Sequence, residues 1–176
     1  MFNKILVAID DGDNNQHILD EAIRLAQAGD AQLILTHVVP PLTEIYPEPG
    51  YIAAHGYHPT IHGETAVTYY MERLQALEQK GIELLQSFAK KARICGVDVE
   101  YVQATGSPGY MICKVARSRK VDLIIIGRHG RTGLAEFFLG SVSNYVLHHA
   151  ACSVLTIQGQ IDRHEADSLV IEAASI

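Results

Sequence analysis

The stretch VDLIIIGRHGRTGLAEFFLGS spans residues 121–141. It opens with an apolar run, Val121 to Ile126, which is typical of a strand buried on both faces of a parallel sheet. Glycines and Ser141 follow, and then a helix-like segment that extends to Ala150. Glycines let a backbone approach an anion closely, and N–H groups at a helix start point towards it. The stretch therefore predicts a strand, a turn and a helix that together bind phosphate.

The rest of the chain alternates strand-like and helix-like segments. Alternation of this kind favours an α/β fold, with an open, mostly parallel sheet, right-handed crossovers and helices on both faces. We expect Gly29 to cap the first helix, Gly96 to end a long second helix, and Ser107-Pro108 to start the third. The predicted strands are residues 5–9, 31–39, 97–104, 121–126 and 152–157, and the predicted helices include 66–95 and 142–150.

Length and composition indicate a single globular domain of 176 residues. We assign 1–158 to this domain, with a variable loop at about 40–65, and 159–176 to a C-terminal tail. A net charge of −6 argues against a nucleic-acid or anionic-membrane binder. Three widely spaced cysteines in apolar surroundings (Cys95, Cys113 and Cys152) predict reduced core thiols. With no signal peptide and no membrane span, the expected location is cytoplasmic.

Two strand ends are candidates for one ligand crevice. In open α/β sheets, ligands bind beyond the carboxyl ends of the strands, where the strand order reverses. The first and fourth strands are the most continuously apolar, and Asp10 and Gly127 follow them. Neither a GxxxxGK[ST] P-loop nor a GxGxxG turn after the first strand is present, which disfavours standard P-loop NTPases and NAD-dependent dehydrogenases.

The residues resemble the nucleotide-binding branch of the universal stress protein family. The signature of that branch is a glycine, two residues, a glycine, nine residues, a glycine and then serine or threonine. Here Gly127, Gly130, Gly140 and Ser141 fit it without a gap. The resemblance covers residues 2–158 apart from the 40–65 stretch, and it includes the strand that ends at Asp10.

The resemblance implies a Rossmann-like five-stranded parallel sheet of order 3-2-1-4-5 that binds ATP or AMP, with Mg²⁺ as a companion of the phosphates. It implies a stress-response regulator or sensor that acts through nucleotide-dependent loop and dimer states. A homodimer would form through strand 152–157. By resemblance, the base would contact Ala8, Ile9 and Val38, the ribose Asp10 with Gly127 nearby, and the phosphates Gly130, Arg131, Gly140, Ser141, Val142 and Ser143.

Several alternatives stay open at this point. Asp10 could cap a helix, and Arg131 could be a solvated loop charge. His55, His58 and His62 could suggest a metal site, although no carboxylate or cysteine framework supports one. The chain could also be a slow ATPase, another nucleotide-using enzyme or a nucleotide-free dimerisation module. An adenylating enzyme would need an SGGxDS-like loop after the first strand, and residues 10–13 do not supply it.

Overall fold

The apolar runs of the sequence form the strands of one parallel sheet in the computed structural model, which describes residues 1–41, 63–128 and 140–158. Along these residues, strands and helices alternate, as the sequence predicts. The elements are β1 Lys4–Ile9, α1 Asn15–Gly29, β2 Gln32–Val39, α2 Gly63–Ile94, β3 Val99–Thr105, α3 Pro108–Arg119, β4 Leu123–Arg128, α4 Ser141–His149 and β5 Ser153–Gln158.

The sheet has the strand order β3-β2-β1-β4-β5, and all neighbouring strands are parallel. The predicted α/β fold and its 3-2-1-4-5 order are therefore confirmed. β1 lies at the centre, where Ala8 pairs with Thr36 of β2 on one side and with Ile126 of β4 on the other. The order reverses at β1, and this is where a crevice opens in sheets of this type.

Alternate residues of the central strands face two different apolar layers. Ile5, Val7 and Ile9 of β1 belong to the layer that α1 and α2 cover, and Leu6 belongs to the layer that α3 and α4 cover. Ile5, Leu6 and Val7 are each 0% exposed. A strand that is buried on both faces requires a continuous apolar run, and this explains the uninterrupted sequence of β1 and β4.

Some local predictions need correction. Asp30, with φ of 51°, takes the left-handed position after α1 that we expected of Gly29, and its N–H donates to the Ala26 carbonyl. The long helix begins at Gly63 rather than at residue 66. Gly96 does end it, with φ of 78°. Cys95 is exposed and not a core thiol, because it lies just past the last helical turn.

The other two cysteines follow the prediction more closely, since Cys113 is buried and Cys152 is half-buried, and all three are free thiols. Pro108 is the first residue of α3, as expected, and Ser107 precedes it in an extended conformation without a side-chain capping hydrogen bond. Among the described residues, no helix is both long and apolar enough to cross a lipid bilayer.

Candidate functional site

A cavity of about 350 Å³ lies at the carboxyl ends of β1, β2 and β4, under the starts of α3 and α4. This volume falls within the range of small-molecule sites, roughly 300–1,000 Å³. Gly130 and Arg131, two of the predicted site residues, lie outside the described residues. All the other predicted site residues line this one cavity: Ala8, Ile9, Asp10, Val38, Gly127, Gly140, Ser141, Val142 and Ser143.

The floor of the cavity is mostly apolar. Ala8, Thr36 and Ile126 form one row across three paired strands, and each of them lines the cavity. Val38 lies two residues beyond Thr36 and therefore on the same face of β2. Ile112 of α3 also lines the cavity. A flat apolar ring is the kind of group that such a floor accommodates.

The turn after β1 is held by side-chain hydrogen bonds. The Gly12 N–H donates to Asp10 Oδ1 at 2.7 Å, and this closes a tight turn. The Asn15 side-chain amide donates to the carbonyl oxygens of Asp10, at 2.6 Å, and of Gly12, at 2.8 Å. Asn15 is buried, whereas Asp10 is exposed at the cavity mouth. The Asp10 carboxylate thus has a local structural role as well as a place in the cavity wall.

The start of α4 presents backbone donors to the cavity. Gly140 precedes the helix with no side-chain cap, and its carbonyl accepts the first intrahelical bond, from the Asn144 N–H at 2.9 Å. The N–H groups of Ser141, Val142 and Ser143 come before this bond, so the helix itself does not satisfy them. With the positive end of the helix dipole, they form an anion-binding geometry.

The Ser143 hydroxyl is engaged within the protein. The residue is 4% exposed, and its hydroxyl donates to the Gly127 carbonyl at 3.1 Å. This bond ties the first turn of α4 to the end of β4. Ser143 therefore positions the backbone donors of α4, because its only hydroxyl proton is already directed at Gly127.

Gly127 and Gly140, the two described glycines of the signature, have different neighbours. A Cβ built on Gly127 would lie 2.4 Å from Ile18 Cδ1, so the missing side chain lets α1 pack against the end of β4. A Cβ on Gly140 would meet nothing within 4 Å among the described residues. Among the described residues, the space next to the Gly140 Cα is therefore open.

A buried histidine lies next to the cavity. His37 is 5% exposed, and its Nδ1 lies 3.4 Å from Gln103 Nε2, which in turn donates to the Glu78 carbonyl at 2.9 Å. Burial lowers the pKa of His37, while the nearby carboxylates of Asp11 and Asp10 act in the opposite direction. The net direction is downward, so the imidazole is held in its neutral form.

Asp11 connects the turn after β1 to the long helix. Its carboxylate lies 2.9 Å from Lys80 Nζ of α2, with both side chains more than half exposed. An exposed pair of this kind contributes at most about 1 kcal/mol. Asp11 also lines the cavity, so the pair reduces the negative charge at its mouth.

Metal binding has no support among the residues that the structure describes, where no group of three or more His, Cys, Asp and Glu side chains is suitably placed. His55, His58 and His62 lie outside those residues. Residues 131–139, which belong to the glycine signature, also lie outside the described residues.

Eight residues that line the cavity were not among the predicted site residues: Asp11, Ile18, Thr36, His37, Pro40, Pro108, Ile112 and Ile126. A signal for Thr36 was present, because it stands two residues before Val38 in a strand and must share its face. Pro108 follows from the helix start that the sequence did reveal. Ile112 could not be assigned, since the rotation of α3 over the sheet is a tertiary feature.

The chain is similar to the members of one known protein family. The universal stress protein family model matches residues 1–158. Universal stress protein Sll1388 of Synechocystis is 35% identical over 160 residues, which cover 89% of this chain and 98% of the relative. Universal stress protein YxiE of Bacillus subtilis is 33% identical over 163 residues, which cover 90% of this chain and 100% of the relative.

Solved structures show the same fold. A universal stress protein family protein of Arabidopsis thaliana with AMP bound has a TM-score of 0.60 at 22% identity, covering 92% of this chain and 94% of its own. A universal stress protein in complex with cAMP has a TM-score of 0.58 at 22% identity, covering 89% of this chain and 97% of its own. On the family match and the curated relatives, this chain belongs to the universal stress protein family.

Proposed function

We propose that this protein binds an adenine nucleotide, AMP or ATP, in the cavity at the carboxyl ends of β1, β2 and β4, and that it acts as a stress-response regulator. The observation that carries the proposal is the convergence of three elements on one cavity: an apolar floor, the Asp10 carboxylate and the uncapped start of α4. AMP and cAMP bound to universal stress proteins of the same fold support the choice of ligand.

The base and the ribose are assigned to the strand ends. The base lies against Ala8, Ile9 and Val38, where apolar side chains can cover its faces and the exposed backbone edge at a strand end can hydrogen-bond its rim. Asp10 accepts hydrogen bonds from the ribose hydroxyls, with Gly127 nearby. A carboxylate suits this role because it accepts hydrogen bonds from hydroxyl groups at about four lone-pair sites.

The phosphates are assigned to the start of α4 and to the glycine signature. The N–H groups of Ser141, Val142 and Ser143 supply the donors, and Gly140 leaves room for an anion to approach. Gly130 and Arg131 complete this assignment by resemblance. Mg²⁺ would enter with the phosphates of ATP, which supply oxygen ligands that this ion prefers.

The regulatory part of the proposal concerns the segment between Gly130 and Gly140 and the free edge of β5. Nucleotide would change the state of this loop, and a homodimer through β5 would communicate that change. β5 pairs with β4 alone among the described strands, and Leu155 on it is 41% exposed. An edge strand with exposed apolar side chains is a natural pairing site between two copies.

The first experiment identifies the ligand. Protein purified without added nucleotide is denatured, and the supernatant is analysed by mass spectrometry, followed by calorimetric titration of the stripped protein with AMP, ADP, ATP and the guanine counterparts. We expect an adenine nucleotide to be retained or to bind with a measurable Kd. Folded protein that binds none of these ligands would refute the proposal.

Gly140→Val tests the phosphate assignment. We expect the variant to fold, because a Cβ at this position has nothing within 4 Å among the described residues, and to lose at least ten-fold in nucleotide affinity because the valine occupies the phosphate approach. Gly140→Ala should give a smaller loss, and adenosine, which has no phosphate, should be affected less than AMP. Calorimetry with each variant measures this, and an unchanged affinity for AMP would remove α4 from the site.

A further inference from the structure

Thr36 is a polar side chain inside the cavity that neither the family signature nor the proposed nucleotide contacts use. The residue is 1% exposed and lies in the middle of β2. Among the described residues, its hydroxyl oxygen is the buried side-chain atom without a hydrogen-bond partner. A buried polar group that lacks a partner destabilises a protein, so native structures keep such groups mainly where something else uses them.

Thr36 lies on the cavity floor, in the part of the cavity where we propose that the base binds. It pairs with Ala8 of β1 on one side and with Val102 of β3 on the other. Ala8 and Val38 pack with the apolar layer that includes Ile34, and this is the cavity side of the sheet. Since side chains alternate along a strand, Thr36 shares this face with Ile34 and Val38, whereas His37 faces α2.

The Thr36 hydroxyl lies among apolar side chains on the cavity floor. Ala8, Val38, Ile112 and Ile126 line the same part of the cavity and offer only hydrocarbon side chains. Rotation about the Cα–Cβ bond moves the hydroxyl of threonine among three staggered positions. A change of this torsion angle can therefore direct the hydroxyl towards a ligand.

We propose that the Thr36 hydroxyl hydrogen-bonds the edge of the bound purine base and so contributes directly to base recognition. The inference rests on the proposed nucleotide site. A hydroxyl can both donate and accept, so it can pair with a ring nitrogen or with an exocyclic amino group. A polar group on an apolar floor favours the orientation of the ring that places a matching polar edge beside it.

The test uses a matched pair of variants. Thr36→Val removes the hydroxyl and keeps the branched shape, and Thr36→Ser keeps the hydroxyl and removes the methyl group. We expect Thr36→Val to bind AMP about five- to ten-fold more weakly by calorimetry, which corresponds to the loss of one neutral hydrogen bond. Thr36→Ser should retain most of the affinity for AMP.

Thermal unfolding separates this role from a structural one. Without ligand, Thr36→Val should melt at the same temperature as the wild type or at a higher one, because a methyl group replaces a hydroxyl that has no partner. With saturating AMP, the rise in melting temperature should be smaller for the variant. A lower melting temperature without ligand and an unchanged AMP affinity would show that the hydroxyl serves the fold and would overturn the proposal.

Base analogues then identify the contact. Wild type and Thr36→Val are titrated with AMP, purine riboside monophosphate, which lacks the amino group, and the 1-deaza and 7-deaza analogues of AMP. The proposal predicts that the wild type binds one analogue five- to ten-fold more weakly than AMP, whereas Thr36→Val binds that analogue and AMP with equal affinity. If every analogue loses the same affinity relative to AMP in both proteins, the proposal is overturned. If the folded wild type binds no adenine nucleotide at all, the proposed function fails instead.

Discussion

Asp10 combines two roles that one pair of substitutions can separate. Its carboxylate accepts from the Gly12 N–H in the turn after β1, and it also lines the cavity. Asn keeps a side-chain oxygen for Gly12 and loses the charge, whereas Ala loses both. We expect Asp10→Ala to lower the free energy of unfolding by about 1 kcal/mol and Asp10→Asn to change it little.

The same two variants report on the ligand. Both should weaken AMP binding about ten-fold or more, because hydrogen bonds to a charged group contribute roughly 1.5–3 kcal/mol. Chemical denaturation and calorimetry measure the two effects independently. If Asp10→Asn binds AMP as tightly as the wild type, the carboxylate serves the turn and not the ribose.

His37 predicts a pH dependence of folding stability. Its pKa is lowered in the folded protein, chiefly by burial, against the opposing influence of Asp11 and Asp10 and with a smaller downward influence of Lys80. As the pH falls below the ordinary histidine value of about 6.5, the unfolded chain takes up a proton before the folded chain does. The neutral ring therefore contributes stability above this pH, and the contribution is lost as the pH falls from about 7 towards the folded pKa.

A matched pair of histidine variants isolates this contribution. The free energy of unfolding is measured by urea titration between pH 7.5 and 5 for the wild type, His37→Asn and His148→Asn. His148 is exposed and serves as the control position, and His37→Asn should give a flatter profile than the wild type. One linked proton corresponds to a slope of at most about 1.4 kcal/mol per pH unit. Parallel profiles for all three proteins would contradict the assignment.

At the scale of elements, a glycine inside a helix allows α2 to approach the sheet. Gly81 is buried, and a Cβ there would lie 2.4 Å from both His37 Nδ1 and Gln103 Nε2. This polar pair thus occupies the space that a side chain on the helix would need. Glycine lowers helix propensity by about 1 kcal/mol relative to alanine, so its presence here indicates that close packing outweighs propensity.

Gly81→Ala should therefore destabilise the protein, by about 1–3 kcal/mol, because the packed polar pair or the whole helix must shift. Gly29→Ala at the end of α1 is the control, since a Cβ there comes no closer than 3.4 Å to the described atoms outside its own helix and its chain neighbours. We expect the control to be neutral or slightly stabilising in urea titrations. Equal effects of the two substitutions on the free energy of unfolding would show that α2 can move away from the sheet without destabilising the protein.

At the scale of the whole molecule, the free edge of β5 is where we expect a second copy to pair. Leu155→Lys should shift the protein from dimer to monomer in light scattering, because a charged side chain on an edge strand opposes pairing. Tyr110→Lys is the control, since Tyr110 is 53% exposed on α3 and away from β5. A wild type that is monomeric at high concentration, or a Leu155→Lys protein that remains dimeric, would exclude this interface.

The sequence alone determined the fold class and most of the cavity wall. Continuous apolar runs at residues 5–9 and 121–126 predicted central strands, because only strands covered on both faces need such runs. The residues at their carboxyl ends, Asp10 and Gly127, then had to meet at one edge of the sheet. Gly140-Ser141 at a helix start completed the prediction, since it is a local signal that needs no knowledge of tertiary contacts.

The tertiary structure alone decided the features that depend on how elements face one another. Asp30, and not Gly29, turns the chain after α1, because Gly29 is still the last residue of the helix. Thr36 and His37 are neighbours in the sequence and both line the cavity, but the His37 side chain faces α2. Local patterns can assign side chains to alternate faces of a strand, but which helix covers each face follows from packing between segments that are distant in the chain.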